Sequence, residues 1–304
     1  MPGARIQLAS APIRMLVYVN GLHVPEEEAT VSVYDSGFNF ADGVFEGIRV
    51  YGGRVFRLDE HIDRLYASAA AFEIEIRMSR GELAGEILSW LRANRISEAF
   101  HFRPVVTRGR RFPPRLDPRF CSGEANLVFV GGPISPARGE GIRAIVSSLR
   151  RPAADVMPPH VKSLNYGTAV LARLESMRRG VDESILLDDR GRLAEASAAN
   201  VFVVRGATLL TPTTRACLSG ITRRVIMDLA AGRGFAVEEG DIEPDALRDC
   251  DEIFLTGTGM ELVPVIELDG RPVGTGGPGP IATELAQAYR SLVGEDGVCI
   301  DPDT

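Results

Sequence analysis

The chain has 304 residues, a net charge of −7 and a pI near 5.3, with 45% apolar and 25% charged residues. That acidic balance, without blocks of like charge, argues against nucleic-acid partners, and no apolar run is long enough to span a bilayer. Four cysteines (Cys121, Cys217, Cys250, Cys299) and four histidines (His23, His61, His101, His160) lie scattered, with no CxxC or HxxxH spacing. This points away from disulfides and bound metal, and toward reduced thiols in a cytoplasmic protein of about two domains. The opening "MPGARIQLASAPIRM" lacks the apolar run of a signal peptide.

The first element is "MLVYVNGLHV", where apolar positions alternate around Asn20-Gly21, a hairpin signal. "GVFEGIRVYGGRVFRL" repeats the pattern, with two strands joined at Gly52-Gly53. In "LDEHIDRLYASAAAFEI" the spacing puts Ile62, Leu65, Ala69 and Phe72 on one helical face. "SRGELAGEILSWLRAN" predicts a second helix capped by Ser79. "AFHFRPVVTRG" and "ANLVFVGG" read as strands flanking a Pro- and Arg-rich loop.

"GGPISPARGEG" is the linker candidate, which sets a first domain at 1–131, a linker at 132–141 and a second domain at 142–304. Beyond it come the strand "IRAIVSSL", the Lys162 segment and the helix "GTAVLARLESMRR". Strands follow in "ESILLDD", "NVFVV" and "ATLLTP", then the helix "GITRRVIMDLAAGRG", the strand "DEIFLTG" and the hairpin "IELDGRPVG". "PGPIATELAQAYRSLVG" closes the chain as a helix. The pattern is two-domain α+β with mostly local strand connections.

Of the 34 Lys and Arg residues only one is lysine, Lys162 in "DVMPPHVKSLNYGTAV". Arginine matches lysine as an anion partner but keeps its proton, whereas a neutral amine can attack a carbonyl. Lys162 is therefore either a covalent catalyst or a leftover in an arginine-rich sequence. Its neighbourhood decides. Gly220-Ile221-Thr222 opens a predicted helix whose free N–H groups could hold a phosphate. "LTGTGM" ends a strand in small and hydroxyl residues, which allows a ligand close to the backbone. Glu195 lies between apolar strands, and Tyr166 follows Lys162 by four residues. Singly, each also reads as an ordinary helix start, turn, solvated glutamate or core tyrosine. Together they supply what pyridoxal 5′-phosphate needs: a lysine, a phenol donor, a carboxylate and a phosphate cup.

In "FEGIRVYGGRVFRLDEHIDRL", "FRPVVTRG", "KSLNY", "EASAANVF", "LSGITRRVI" and "FLTGTGMELVPVIELDG" the sequence resembles the class IV aminotransferases. The pieces occur in the family's order and run over nearly the whole chain. "LDPRFC" and "GPGPIATELAQAY" bring it nearest to bacterial and archaeal branched-chain enzymes. The resemblance implies the two-domain fold type IV, a smaller N-terminal and a larger C-terminal α/β domain, and a homodimer or higher homo-oligomer. Lys162 would bind the cofactor aldehyde and shuttle the proton, Tyr166 would bond its phenolic oxygen, and Glu195 its ring nitrogen. Arg64, in "EHIDRL", would join Ile221, Thr222 and Thr258 around the phosphate.

The substrate end departs from the branched-chain pattern. Phe45 and Arg103 match it and Gly259 is a further substrate-binding candidate, but Phe40 and His101 stand where that group usually has tyrosines. The loop "TRGRRFPPRLD" carries Arg108, Arg110, Arg111 and Arg115; one of these, Arg108 or Arg110 foremost, could grip a substrate carboxylate, or the loop is simply solvated. Asp42-Gly43 leans toward the D-amino-acid enzymes. The implied activity is amino transfer from an amino acid, branched-chain L first, to a 2-oxo acid such as 2-oxoglutarate. D-amino acids or (R)-amines are the alternative. An aminodeoxychorismate lyase and a non-catalytic cofactor-binding protein are the remaining readings.

Overall fold

The computed structural model describes residues 15–135 and 139–301. The opening segment and residues 136–138 of the expected linker lie outside the described residues. In chain order the first elements are β1 (Leu16–Val19), β2 (Leu22–Pro25), α1 (Ser36–Phe40), β3 (Gly43–Phe45), β4 (Ile48–Tyr51), β5 (Arg54–Val55), α2 (Leu58–Ala71), α3 (Arg80–Ala93), β6 (Phe100–Thr107) and β7 (Asn126–Pro133). Then come β8 (Ile142–Arg150), α4 (Gly167–Arg178), β9 (Glu183–Leu187), β10 (Leu193–Ala196), β11 (Asn200–Arg205), β12 (Thr208–Pro212), α5 (Ile221–Ala231), β13 (Ala236–Gly240), β14 (Glu252–Gly257), β15 (Glu261–Leu268), β16 (Arg271–Pro272), α6 (Pro280–Glu295) and β17 (Val298–Cys299).

One sheet has the order β17-β5-β4-β6-β7-β1-β2, with β3 also on β6. The other runs β10-β9-β8-β15-β14-β11-β12-β13, with β16 on β15. Local chemistry sets several of these joints. Asn20 and Gly21, at φ 50° and 92°, make the tight turn that pairs Val19 with Leu22. Ser79 and Glu82 form a reciprocal capping box at the start of α3. The buried face of α2 carries Ile62, Leu65 and Ala69 as spaced, but the helix ends before Phe72, whose N–H closes onto the Ala69 carbonyl.

The second sheet is buried on both sides. Val201, Val203, Ile253 and Leu255 face one core, while Phe202, Val204 and Phe254 face the other, packed under α5 and α6 with Val225, Ile226 and Leu285. A strand covered on both faces needs an unbroken apolar run, which is how "NVFVV" reads.

Three findings differ from the sequence expectation. Strands β8 and β9 pair parallel on either side of α4, and β12 and β13 on either side of α5, so these connections are crossovers rather than hairpins. The edge strand β13 ("AVEEG") is polar and mostly exposed and so carries no strand signal. The chain end also returns to the first sheet: β17 pairs with β5, and Ile300 packs into the first core. The two sheets are tied by Phe56, which meets Tyr289 edge-on at 5.7 Å, and by a buried ion pair between Arg49 and Glu261 at 2.9 Å. Among the described residues no helix is long and apolar enough to cross a membrane.

Candidate active site

Between the sheets lies a cavity of about 320 Å³. The Lys162 segment forms one wall because it is laced to β3: the Phe45 N–H donates to the Lys162 carbonyl at 3.0 Å, and the Leu164 N–H to that of Gly43 at 2.9 Å. The Lys162 N–H donates to Ser68 Oγ at 3.0 Å, fixing the same segment to α2. From this anchored backbone the ammonium donates to Tyr166 Oη at 3.0 Å and lies over the Phe45 ring at 4.6 Å. Burial raises the Tyr166 phenol, but the Lys162 charge and hydrogen bond, with the Arg151 and Arg64 charges, outweigh it and leave the phenol below its ordinary value.

The N-terminus of α5 forms the opposite end. Gly220, Ile221 and Thr222 line the cavity, and among the described residues no side chain caps this helix. Its first N–H groups therefore remain open to a ligand. A Cβ on Gly220 would stand 1.9 Å from Asn200 Oδ1, so only glycine fits beside the asparagine that holds the Leu218 carbonyl. Thr256, Thr258 and Gly259 complete this end, and the buried Thr256 hydroxyl has no hydrogen-bond partner among the described residues. Arg64 reaches the cavity from α2, its guanidinium fixed by Glu46 and donating to the Ser219 carbonyl at 2.7 Å.

Glu195 is on β10, a strand the sequence reading did not separate from the following turn. Its carboxylate is buried, accepts the Leu218 N–H at 2.9 Å and pairs with Arg151. An uncapped helix N-terminus, an orphaned hydroxyl, a buried carboxylate and a lysine–phenol pair around one cavity suit the phosphate, ring nitrogen and aldehyde of pyridoxal phosphate.

At the substrate end Phe45, His101, Arg103 and Gly259 line the cavity, with the Arg103 guanidinium over the Phe45 ring at 4.5 Å. Phe40, Arg108 and Arg110 do not. Arg108 is bound by Asp42, at 2.8 and 3.1 Å, and by the Phe72 and Glu73 carbonyls at the end of α2. Its carboxylate partner within this chain is Asp42. Arg110 lies over the Tyr34 and Phe112 rings, and Phe40 lies beneath the Arg111 guanidinium. Sequence reasoning passed over Arg151 and Glu46. Arg151 is hidden among many arginines; Glu46 stands inside "FEGIR", where its burial is the only distinguishing signal.

Residues 43–268 match the model for "Amino-transferase class IV". The chain is 44% identical over 280 residues to a protein of Methanocaldococcus jannaschii provisionally named branched-chain-amino-acid aminotransferase, covering 91% of this chain and 96% of that one. It is 32% identical over 283 residues to the D-alanine aminotransferase of Bacillus licheniformis, covering 92% and 97%. The solved branched-chain amino acid aminotransferase of Thermobaculum terrenum, in its pyridoxal-phosphate holo-form, superposes with a TM-score of 0.84 at 29% identity, covering 93% and 95%. The chain belongs to the class IV aminotransferases, transaminases that depend on pyridoxal 5′-phosphate.

Proposed function

We propose that this transaminase moves amino groups between branched-chain L-amino acids and a 2-oxo acid such as 2-oxoglutarate. The observation that carries the reading is the chain's only lysine, anchored at the cavity wall 3.0 Å from Tyr166 and facing apolar side chains. Phe45, Met157, Val161 and Met260 offer a branched side chain an apolar wall. The cofactor, when bound, supplies an aldehyde for the amino group and a ring that accepts electrons from Cα. Lys162, as the neutral amine, takes the Cα proton and returns it, which a guanidinium cannot do. Tyr166 bonds the phenolic oxygen, Glu195 the ring nitrogen, and Arg64, Ile221, Thr222 and Thr258 the phosphate. His101 and Arg103 receive the substrate carboxylate.

D-amino acids are the second reading, favoured by the D-alanine aminotransferase relative and by His101 at a position expected to be tyrosine. Separate incubation with L-leucine, D-alanine and (R)-1-phenylethylamine decides between them. L-leucine is expected to bleach the cofactor's aldehyde absorbance; bleaching by D-alanine alone would overturn the L assignment. Pyruvate release without an amino acceptor would instead indicate the lyase.

A cytoplasmic homodimer or larger homo-oligomer is part of the proposal. It is supported by the exposed Val33, Phe38, Phe112 and Leu116, and by Val170, Leu171, Leu174 and Met177 along α4.

A further inference from the structure

Glu46 is fully buried in the break between β3 and β4, and nothing in the proposed chemistry uses it. Its carboxylate meets Arg64 bidentately, Nε to Oε1 at 2.6 Å and Nη2 to Oε2 at 2.8 Å. His61, one turn earlier on α2, places Nδ1 2.8 Å from Oε2, and the Gly47 N–H donates to the same oxygen at 3.3 Å. Oε2 thus takes three donors and Oε1 one, all from this chain, and Glu46 itself does not line the cavity. A guanidinium has five N–H groups in a rigid fork. Glu46 takes one on Nε and one on Nη2, and the Ser219 carbonyl takes one on Nη1. One N–H on Nη1 and one on Nη2 remain for the cavity that Arg64 lines.

We propose that Glu46 is the positioning residue of the anion site: it fixes the Arg64 fork so that the two remaining N–H groups meet a phosphate ester at the N-terminus of α5. The proposal rests on the reading of Arg64 as a phosphate ligand. Charge alone would argue against such an arrangement. A buried carboxylate beside an anion site cancels the arginine's charge and would weaken binding unless orientation mattered more. Burial opposes ionisation of Glu46, but the Arg64 charge and the hydrogen bonds from Arg64 and His61 outweigh it, so the carboxylate stays ionised. His61 is held neutral, chiefly by burial, and supplies a hydrogen bond without adding charge. What Glu46 provides is direction.

The test is equilibrium binding of pyridoxal phosphate, and of pyridoxal without its phosphate, to the apoprotein. Glu46→Gln leaves one oxygen and sets amide N–H groups against the fork. It should weaken pyridoxal phosphate by about 10- to 100-fold while pyridoxal changes less than about twofold. Arg64→Gln should give the same pattern, and the double variant should lose no more than the worse single one. Phosphate-selective loss in both single variants supports the proposal. Wild-type or tighter pyridoxal phosphate binding by Glu46→Gln, with Arg64→Gln weakened, overturns it. So does equal loss of pyridoxal, which marks a structural role. An unaffected Arg64→Gln would overturn the underlying reading of Arg64 as well. If Glu46→Gln does not fold, Glu46→Asp, which keeps the charge on a shorter arm, carries the same outcomes.

Discussion

His101 faces the cavity from β6 as a neutral imidazole. Burial first, and then the charges of Arg103, Arg49 and Lys162, push its pKa down to about 4 from an ordinary 6.5. The unfolded chain accepts the proton that the folded chain refuses, so stability is full above about pH 6.5 and falls as the pH drops toward 4. The loss is at most about 3 kcal/mol. His101→Tyr removes this proton and should flatten the fall of the melting temperature between pH 7 and pH 4; an unchanged slope would show that His101 does not titrate this way. At this scale Lys162 was legible because it stands alone of its type. The loop arginines were not: Arg108 stood in the sequence as a candidate for a substrate carboxylate, and only folding gives it Asp42, while Arg103 on β6 lines the cavity.

Two helix starts show how similar elements are put to different uses. Glu252 on β14 accepts the Ile281 and Ala282 N–H groups at 2.9 and 2.8 Å, so the beginning of α6 is closed by a carboxylate. A Cβ on Gly279 would stand 2.0 Å from Glu252 Cδ, which reserves that turn for glycine. The beginning of α5 has no such partner among the described residues and opens into the cavity. Glu252→Ala should therefore lower unfolding stability by about 1–3 kcal/mol in denaturant titration while leaving cofactor affinity unchanged. Loss of cofactor affinity without loss of stability would invert this assignment. Both helices were legible in sequence, as were the hairpin at Asn20-Gly21 and the Ser79 cap. Strand β13 was not, because a polar edge strand shows no alternation, and β10 was merged with its neighbours because four buried residues make too short a run.

Across the whole molecule, the buried ion pair of Arg49 on β4 with Glu261 on β15 joins the two sheets. Arg49 also donates to the Gly259 carbonyl at 3.4 Å, and Glu261 holds a left-handed φ of 59°, unusual for a glutamate. Arg49→Met strands a buried carboxylate and should cost about 3–5 kcal/mol, and adding Glu261→Gln should recover part of that loss. A double variant no more stable than the single one would contradict a compensated pair. The Gly- and Pro-rich stretch between β7 of the first sheet and β8 of the second was legible as a linker candidate. The return of β17 to the first sheet was not, since a two-residue strand at long range leaves no local pattern.

The most direct measurement is borohydride reduction of the purified holoprotein, followed by intact-mass analysis and peptide mapping. Because the chain has one lysine, a single pyridoxyl phosphate adduct should map to the Lys162 peptide and disappear in Lys162→Arg. No adduct, or one that persists in Lys162→Arg, would contradict the assignment.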